Sequence, residues 1–299
     1  MKTDSKDSLG DRMKAYEEVT RYSLIPRSYT IIRVDGRAFH SYTKGLKRPF
    51  DNELIEDLDN TWKYLCQNIQ NAKLGYAQSD EFTLLLTDFD EITTQQFFGG
   101  NIQKICSVVA SMAAAKFNQL RIQRYFAKNL IKEHFNDFDP SRAISVEDII
   151  NYFPLQDSPF NKLAEFDCRV FNLPSAIEVY NNFLWRWKDC ERNSISSVAY
   201  ANFPHKQLEG KNNEQKQEML WKEKGINWSK LEDSLKNGRF LVKEKKFMPP
   251  AFPTQAFLDR IKENAFAFER DFTRENWKVE PCWKLSEDPQ KLKDLIPQQ

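Results

Sequence analysis

The sequence predicts an α+β fold in which helices pack on an antiparallel, ferredoxin-like sheet. Three segments have the β-branched and aromatic composition of strands: 29–34, 75–86 and 166–173. Each is followed by a longer segment whose apolar residues recur at helical spacing: 50–68, 101–119 and 175–200. This alternation is typical of one sheet with helices between its strands.

The first predicted strand ends in a turn that carries a carboxylate. A helix at 11–22 precedes the strand at 29–34, which runs directly into Asp35 and Gly36. An Asp-Gly pair ends a strand in a turn, so Asp35 is expected at a strand tip. The helix that follows at 50–68 is amphipathic, with apolar residues every three to four positions at Leu54, Leu58, Trp62 and Leu65.

The second predicted strand is buried and has two carboxylates at its entrance. Residues 82–86 form a continuous apolar run, which is typical of a strand covered on both faces. Asp80 and Glu81 immediately precede this run. The helix at 101–119 is expected to be well buried, because small alanines separate its large apolar residues.

The third predicted strand, at 166–173, leads into a long helix. Pro174 ends the strand, and Ser175 with Glu178 three residues later forms a capping-box signature. The helix is predicted to continue to about residue 200 on its apolar periodicity.

Two segments stand apart from this pattern and set the predicted domain organisation. Residues 119–162 are predicted to be an inserted helical pair, and residues 249–299 a helical C-terminal extension that follows a proline-rich junction. The main domain is therefore expected to span residues 12–245. Its inserted pair carries a basic stripe that either tracks a nucleic-acid backbone or forms a solvated face: Arg121, Arg124, Lys128 and Lys132.

The composition limits the classes of protein that the chain can represent. It has 44 Lys and Arg against 43 Asp and Glu in 299 residues, so its net charge of +1 does not indicate nucleic-acid binding. Any basic surface must be local. The five cysteines form no Cys-x-x-Cys pair and read as reduced core residues, and three His do not favour a structural zinc site. No segment is apolar enough to span a membrane. We expect a cytoplasmic protein, and a mitochondrial location stays open.

The carboxylates at the two strand ends indicate a metal site. If the strands are antiparallel neighbours, Asp35 meets Asp80 and Glu81 at one end of the sheet. Mg²⁺ binds through one or two carboxylates together with substrate phosphates, and two such ions roughly 3.5–4 Å apart promote phosphoryl transfer. The alternative is structural: Asp35 makes an Asp-Gly turn, and Asp80 with Glu81 forms a solvated strand entrance.

The residues around these carboxylates resemble a known family. RVDGRAFH at 33–40 and YAQSDEF at 76–82 look like the two active-site motifs of the tRNA-histidine guanylyltransferases. Further matching segments follow in the same order: Arg48-Pro49 with Asp51, QKICSVVAS, FDCRVF, WRWKDCERNS and KQEML. These enzymes add nucleotides to the 5′ end of tRNA in the 3′-to-5′ direction. The resemblance covers about residues 12 to 245 and implies that this region is a catalytic, polymerase-like palm.

The resemblance implies specific residues for metal and nucleotide. Asp35, Asp80 and the Gly36 carbonyl would bind two Mg²⁺ ions, and Glu81 would be either a further ligand or a residue that tunes the site. Nucleotide or 5′-end contacts are expected at Gly36, Arg37, Ala38, Phe39, His40, Arg48, Ser79 and Lys104. Without the resemblance, His40 reads as a loop histidine. Lys104 belongs to the helix that is predicted to be buried, where an unpaired charge is costly, so it is expected to point from the helix end toward phosphate or an acid. The alternative is a surface lysine.

The resemblance also implies residues that contact tRNA or triphosphate: Arg169, Asp189, Arg192, Asn193 and Lys216. Helical spacing places Asp189, Arg192 and Asn193 on one face together with Arg186. Such a polar stripe is otherwise a solvated helix face.

One departure from the family pattern points to a branch within it. Where the family carries a His-Ile-Asn tripeptide, this chain reads Glu191-Arg192-Asn193. Loss of that histidine is a feature of the guanylyltransferase-like branch, whose members resemble repair polymerases. The resemblance therefore implies template-dependent 3′-to-5′ addition to 5′-truncated tRNA, with ATP or GTP activating a 5′-monophosphate and nucleoside triphosphates as substrates.

Other functions remain open from sequence. They are addition of G to tRNA-His, a palm-domain nucleotide cyclase, and a tRNA-binding protein without catalysis. The resemblance further implies tRNA as partner and a homotetramer.

Overall fold

The structure, a computed structural model, describes residues 8–134, 162–247 and 273–299. It confirms the predicted α+β fold. Six antiparallel strands form one sheet in the order β4-β1-β3-β2-β5-β6, with helices on both faces. The first four strands and the two long helices between them follow the β-α-β-β-α-β pattern of ferredoxin-like folds.

The helices are α1 (Ser8–Glu18), α2 (Phe39–Tyr42), α3 (Asn52–Asn68), α4 (Ile102–His134), α5 (Ala176–Asn202), α6 (His205–Leu208), α7 (Asn213–Lys224), α8 (Asp233–Lys236) and α9 (Pro289–Leu295). The strands are β1 (Tyr29–Gly36), β2 (Ala72–Gln78), β3 (Glu81–Leu86), β4 (Phe166–Leu173), β5 (Arg239–Phe247) and β6 (Thr273–Pro281). Within these elements, no described helix has the length and apolarity needed to cross a membrane.

Two predicted elements differ in the structure. The single strand predicted at 75–86 is a hairpin of β2 and β3, because Ser79 adopts a φ of 47° and reverses the chain. The first half of the predicted insertion at 119–162 continues α4 without a break to His134. The second predicted helix of that pair, near 145–153, lies outside the described residues.

The sheet buries an apolar layer on each face, because side chains of a strand alternate between the two. On β1, Ile32 and Val34 face α3 and α4, whereas Tyr29 and Ile31 face α5 and the C-terminal residues. A third, smaller cluster joins the outer half of α5 to α6 and α7. Strand β1 is therefore covered on both of its faces.

The basic stripe predicted along the insertion belongs partly to the fold. Arg121 donates to Asp57 of α3 at 2.9 Å, and Arg124 donates to both oxygens of Asp57 and to Glu56. Because Asp57 is buried, these two arginines fasten α4 to α3, a structural role that differs from both alternatives given for the stripe. The side chains of Lys128 and Lys132 lie outside the described part of the structure.

The C-terminal region is a strand and a short helix where it is described, so the prediction of a helical extension over 249–299 is wrong for residues 273–281. These residues form β6, which pairs with β5 along its whole length. Alternation explains the strand, since Trp277 and Val279 pack on the α3 side of the sheet while Lys278 between them is exposed. The helix predicted near 257–268 lies outside the described residues.

Replacing Leu292 by Ala is expected to lower the free energy of unfolding by about 2–4 kcal/mol, because it leaves a cavity in a closed core. Leu292 is fully buried in α9 against the face of the sheet that carries Tyr29, and the Tyr29 hydroxyl donates to Pro297 at 2.8 Å. Urea unfolding measures the change. Leu163→Ala, just before β4, where the side chain is exposed, is the matched control and is expected to change stability by less than about 0.5 kcal/mol.

Candidate active site

One end of the sheet opens into a cavity of about 760 Å³. Its walls are the β1–α2 turn, the segment leading into α3, the β2–β3 turn, the inner side of α5 and the α8–β5 connection. Of the residues predicted for the site, those that line the cavity are Asp35, Gly36, Ala38, Phe39, His40, Arg48, Ser79, Asp80, Glu81, Asp189 and Asn193. The cavity therefore gathers residues from four separate segments of the sequence.

Asp35 lies near the end of β1, directly opposite Asp167 of β4. Burial raises the pKa of the Asp35 carboxyl, and the neighbouring Asp167 raises it further. Arg33, Arg169 and Arg186 act in the opposite direction. Sequence reasoning missed Asp167, although it is the acidic residue of the FDCRVF segment and its alternation places it on the same face as Arg169.

Asp80 occupies the β2–β3 turn. The Ser79 hydroxyl donates to Asp80 Oδ1 at 2.8 Å, and the left-handed backbone of Ser79 is uncommon for a residue with a side chain. Burial raises the pKa of the Asp80 carboxyl; the Ser79 hydrogen bond lowers it, and Asp35 raises it. Asp35 and Asp80 line the same cavity, because β1 and β3 are antiparallel neighbours as predicted.

Glu81 forms a two-point salt bridge with an arginine. Arg186 of α5 donates through Nε to Glu81 Oε1 at 2.6 Å and through Nη2 to Glu81 Oε2 at 2.9 Å. Burial raises the pKa of Glu81, and Arg186 opposes this most strongly. Of the two roles predicted for Glu81, this geometry favours the residue that tunes the site over the metal ligand.

The β1–α2 turn depends on close approach between backbone and ring. A Cβ on Gly36 would lie 2.2 Å from Phe39 Cδ2, so only glycine fits there. Ala38 adopts a left-handed conformation, with φ 51° and ψ 38°, and starts α2. Phe39 is buried against Phe117 and Phe166, which fixes the turn to the core, while His40 is exposed at the cavity wall.

The inner side of α5 contributes Asp189 and Asn193 to the cavity. Asp189 accepts hydrogen bonds from Arg186 at 2.6 Å and from Arg192 at 2.8 Å. Glu191 lies elsewhere: burial raises its pKa, and the cations beside it are Lys284, Lys236 and Lys188. The position at which this chain departs from the family tripeptide is therefore absent from the cavity wall, whereas Asn193 is part of it.

Several predicted contact residues lie outside the cavity wall. Lys104 is exposed in the first turn of α4, whereas α4 reaches the β1–α2 turn at Phe117, about three and a half turns later. The Lys104 ammonium lies 4.9 Å from the centre of the Phe98 ring, a position that fits the alternative of a surface lysine. Arg37 is exposed and pairs with Glu165.

The remaining predicted contacts surround the cavity from further out. Arg169 is exposed on β4, on the strand that also carries Asp167, and Arg192 is exposed on α5. Lys216 donates to the Ser196 hydroxyl at 3.1 Å, and Ser196 lines the cavity. Arg192 likewise donates to a residue of the cavity wall, Asp189.

The carboxylates fit a metal ion that is shared with a substrate. Within the described ranges, no three His, Cys, Asp or Glu side chains form a closed metal cage. Asp35 and Asp80 nevertheless retain acceptor capacity, since Ser79 is the one side chain in the described residues that donates to this pair. Mg²⁺ binds to such incomplete protein sites through one or two carboxylates and completes its shell with water and phosphate.

Replacing Asp35 by Asn is expected to raise the thermal stability of the metal-free protein at pH 7. Like charges opposite each other on neighbouring strands cost up to ~1 kcal/mol, reduced here by solvent screening, so a gain of a few tenths is expected. Because the pKa of Asp35 is raised in the folded state, its ionisation costs stability as the pH rises through that pKa. Melting curves should coincide at pH 3 and separate at pH 7; a less stable variant at pH 7 would contradict the prediction.

Comparison with known proteins gives consistent matches. A family model described as tRNAHis guanylyltransferase matches residues 10–174. The solved structure of a bacterial tRNA(His) guanylyltransferase (Thg1)-like protein in complex with ATP is 38% identical, covers 98% of this chain and 100% of its own, and superposes with a TM-score of 0.73. A solved structure of a bacterial tRNA(His) guanylyltransferase (Thg1)-like protein in complex with GTP is 35% identical, with 97% and 99% coverage and a TM-score of 0.67. The tRNA(His) guanylyltransferase of Debaryomyces hansenii is 26% identical over 74% of this chain and 76% of its own.

Proposed function

The chain belongs to the tRNA-histidine guanylyltransferase family, whose members are nucleotidyltransferases acting on tRNA, and we propose that it repairs 5′-truncated tRNA. It would add nucleotides to the 5′ end in the 3′-to-5′ direction, each chosen by pairing with the opposite acceptor strand. The observation that carries the proposal is the pair Asp35 and Asp80, whose carboxylates face one cavity and have free acceptor capacity.

The cavity supports binding of a nucleoside triphosphate. Its volume of about 760 Å³ lies in the range of small-molecule sites, and two similar bacterial structures are titled as complexes with ATP and with GTP. Either nucleotide would activate the 5′-monophosphate of the tRNA by transfer of its nucleotidyl group, with loss of pyrophosphate. The 3′-hydroxyl of the next nucleoside triphosphate then attacks the activated 5′ phosphate and releases the nucleoside monophosphate.

Asp35, Asp80 and the Gly36 carbonyl would hold two Mg²⁺ ions, which when bound promote attack of the hydroxyl and stabilise the leaving group. The chain itself supplies positioning, the main requirement of phosphoryl transfer. The tight Gly36 turn and the buried Phe39 ring fix Asp35 relative to the cavity. His40 and Arg48 at the wall, with Arg169, Arg192 and Lys216 around it, would contact phosphates of nucleotide or tRNA.

Two observations support repair over addition of G to tRNA-His. The family's histidine is replaced by Glu191, which faces lysines away from the cavity. The chain is also 38% identical to the bacterial guanylyltransferase-like protein over nearly its whole length, against 26% over three quarters for the Debaryomyces hansenii enzyme.

The test is nucleotide addition to two 5′-labelled tRNAs with Mg²⁺ and ATP, one lacking its first 5′ nucleotide and one an intact tRNA-His. We expect restoration of the paired nucleotide on the truncated tRNA and little addition to the other. Changing the base opposite the gap should change the nucleotide that is incorporated, and a triphosphorylated 5′ end should remove the need for ATP. Preferential addition of G to intact tRNA-His, whatever base lies opposite, would show guanylyltransferase activity instead.

The same assay separates the other functions left open by the sequence. A nucleotide cyclase would convert GTP to a cyclic product without tRNA, and a silent tRNA-binding protein would extend neither substrate. Either result would overturn the proposed polymerase.

We also propose that the protein assembles as a homotetramer. Helix α1 has no buried residue and exposes Leu9, Met13 and Tyr16, which recur at helical spacing and so lie on one side of it. Light scattering coupled to size exclusion measures the mass, and Met13→Lys with Tyr16→Lys is expected to reduce it. A monomeric mass for the unaltered protein would contradict the assembly. The cytoplasmic location stays a prediction.

A further inference from the structure

The carboxylates at the end of the sheet differ in how far their oxygens are already occupied. Both oxygens of Glu81 accept hydrogen bonds, Oε1 from Arg186 and Gln78 and Oε2 from Arg186. Asp189 likewise accepts at both of its oxygens. In the described residues, by contrast, no side chain donates to Asp35, and Ser79 alone donates to Asp80.

Arg186 is the source of this difference. Its side chain is 7% exposed, and its guanidinium is shared between Glu81, which is 12% exposed, and Asp189. The planar fork of arginine matches a carboxylate in two-point geometry, which a lysine cannot reproduce. Because Arg186 belongs to α5 while Glu81 begins β3, the same contact also fixes the helix against the β2–β3 turn that presents Asp80.

A free Glu81 would compete for cations. It is the residue next to Asp80, and it lines the same cavity as both proposed ligands. Hard divalent cations bind more tightly as the number of available carboxylates rises. An ion that included Glu81 in its shell would be displaced from the position set by Asp35 and Asp80.

We propose that Arg186 is a positioning residue that withholds Glu81 from divalent cations, so that the ions of the site bind at Asp35 and Asp80. This inference rests on the proposed function, because that function assigns metal ions to these two carboxylates. Arg186 contacts neither substrate nor metal in this scheme. It acts through the carboxylate that it keeps occupied.

The experiment measures Mn²⁺ binding to the nucleotide-free protein by titration calorimetry, together with single-turnover addition to truncated tRNA. In Arg186→Met, Glu81 loses its partner, so Mn²⁺ should bind at least ~5-fold more tightly while the rate of addition falls ~10–100-fold or more. Adding Glu81→Gln to this variant should return the Mn²⁺ affinity to within about 2-fold of the unaltered protein, because it removes the competing carboxylate. A residue that only supports the fold would give weaker or unchanged Mn²⁺ binding in Arg186→Met, and that result would overturn the inference.

Arg192→Met is the matched control. It removes the same charge from the same helix and the same partner, Asp189, but Arg192 is exposed and does not contact Glu81. Its Mn²⁺ affinity should stay within about 2-fold of the unaltered protein. A gain equal to that of Arg186→Met would mean that general charge loss explains the effect, and would overturn the inference.

Glu81→Gln alone provides a test that does not depend on the stability of Arg186→Met. With Arg186 in place, Glu81 is no ligand, so the variant should keep Mn²⁺ affinity within about 3-fold. A weakening of ~10-fold or more would make Glu81 a ligand and overturn the inference. Failure of the proposed metal site would give a different result. The unaltered protein would then not bind Mn²⁺, or Asp35→Asn would leave its Mn²⁺ affinity unchanged.

Discussion

Replacing Asp80 by Asn is expected to reduce nucleotide addition by about a thousandfold or more while the protein stays folded. Asp80 stands in the β2–β3 turn with one oxygen bound to Ser79, and its carboxylate is coupled to Asp35. Asn keeps the shape and the Ser79 contact, but it removes the charge that a divalent cation requires. Single-turnover addition to a truncated tRNA measures the loss, and a thermal melt checks the fold.

The matched control is Asp90→Asn. Asp90 lies beyond the opposite end of β3 and pairs with Lys73, so the same chemical change is made near the same strand but away from the cavity. Addition should stay within about twofold of the unaltered rate, since surface substitutions of this kind have small effects. An Asp80→Asn protein within tenfold of the unaltered rate would remove Asp80 from the proposed metal site.

The end of the sheet was predictable because its signals are local. Strand composition around residue 30, the Asp-Gly turn and the apolar run at 82–86 each depend on neighbours in sequence. Antiparallel pairing then brings Asp35 and Asp80 together, since it places the end of β1 beside the beginning of β3. The motif resemblance identified the family for the same reason: its key residues are contiguous.

The partners of these residues were not predictable, because they come from distant segments. Arg186 lies 105 positions from Glu81, and its spacing on α5 was equally consistent with a solvated stripe. Asp167 opposes Asp35 through a strand register that composition does not encode. Likewise, β6 lies inside the predicted helical tail, because it pairs with β5 across a connection too long for local turn signals to predict the pairing.

The same reasoning applies to the arginines of α4, and it predicts a large loss of stability in Asp57→Ala. Asp57 is 2% exposed and accepts hydrogen bonds from Arg121 and from two nitrogens of Arg124. Without it, two guanidinium groups at the α3–α4 interface lose their counter-ion, and breaking a buried pair in this way costs about 3–5 kcal/mol. For a chain of this size we expect the melting temperature to fall by roughly 6–15 °C.

Glu56→Ala is the matched control, because it removes an exposed ion pair from the same helix. Glu56 also accepts from Arg124, but it is 63% exposed, so its loss should cost less than about 1 kcal/mol. If Asp57→Ala lowered the stability as little as Glu56→Ala, Arg121 and Arg124 would not be required to hold α4 on α3. A role for them as contacts for tRNA phosphates would then be favoured. A large difference between the two variants instead assigns these arginines to the fold and leaves tRNA binding to the cations around the cavity.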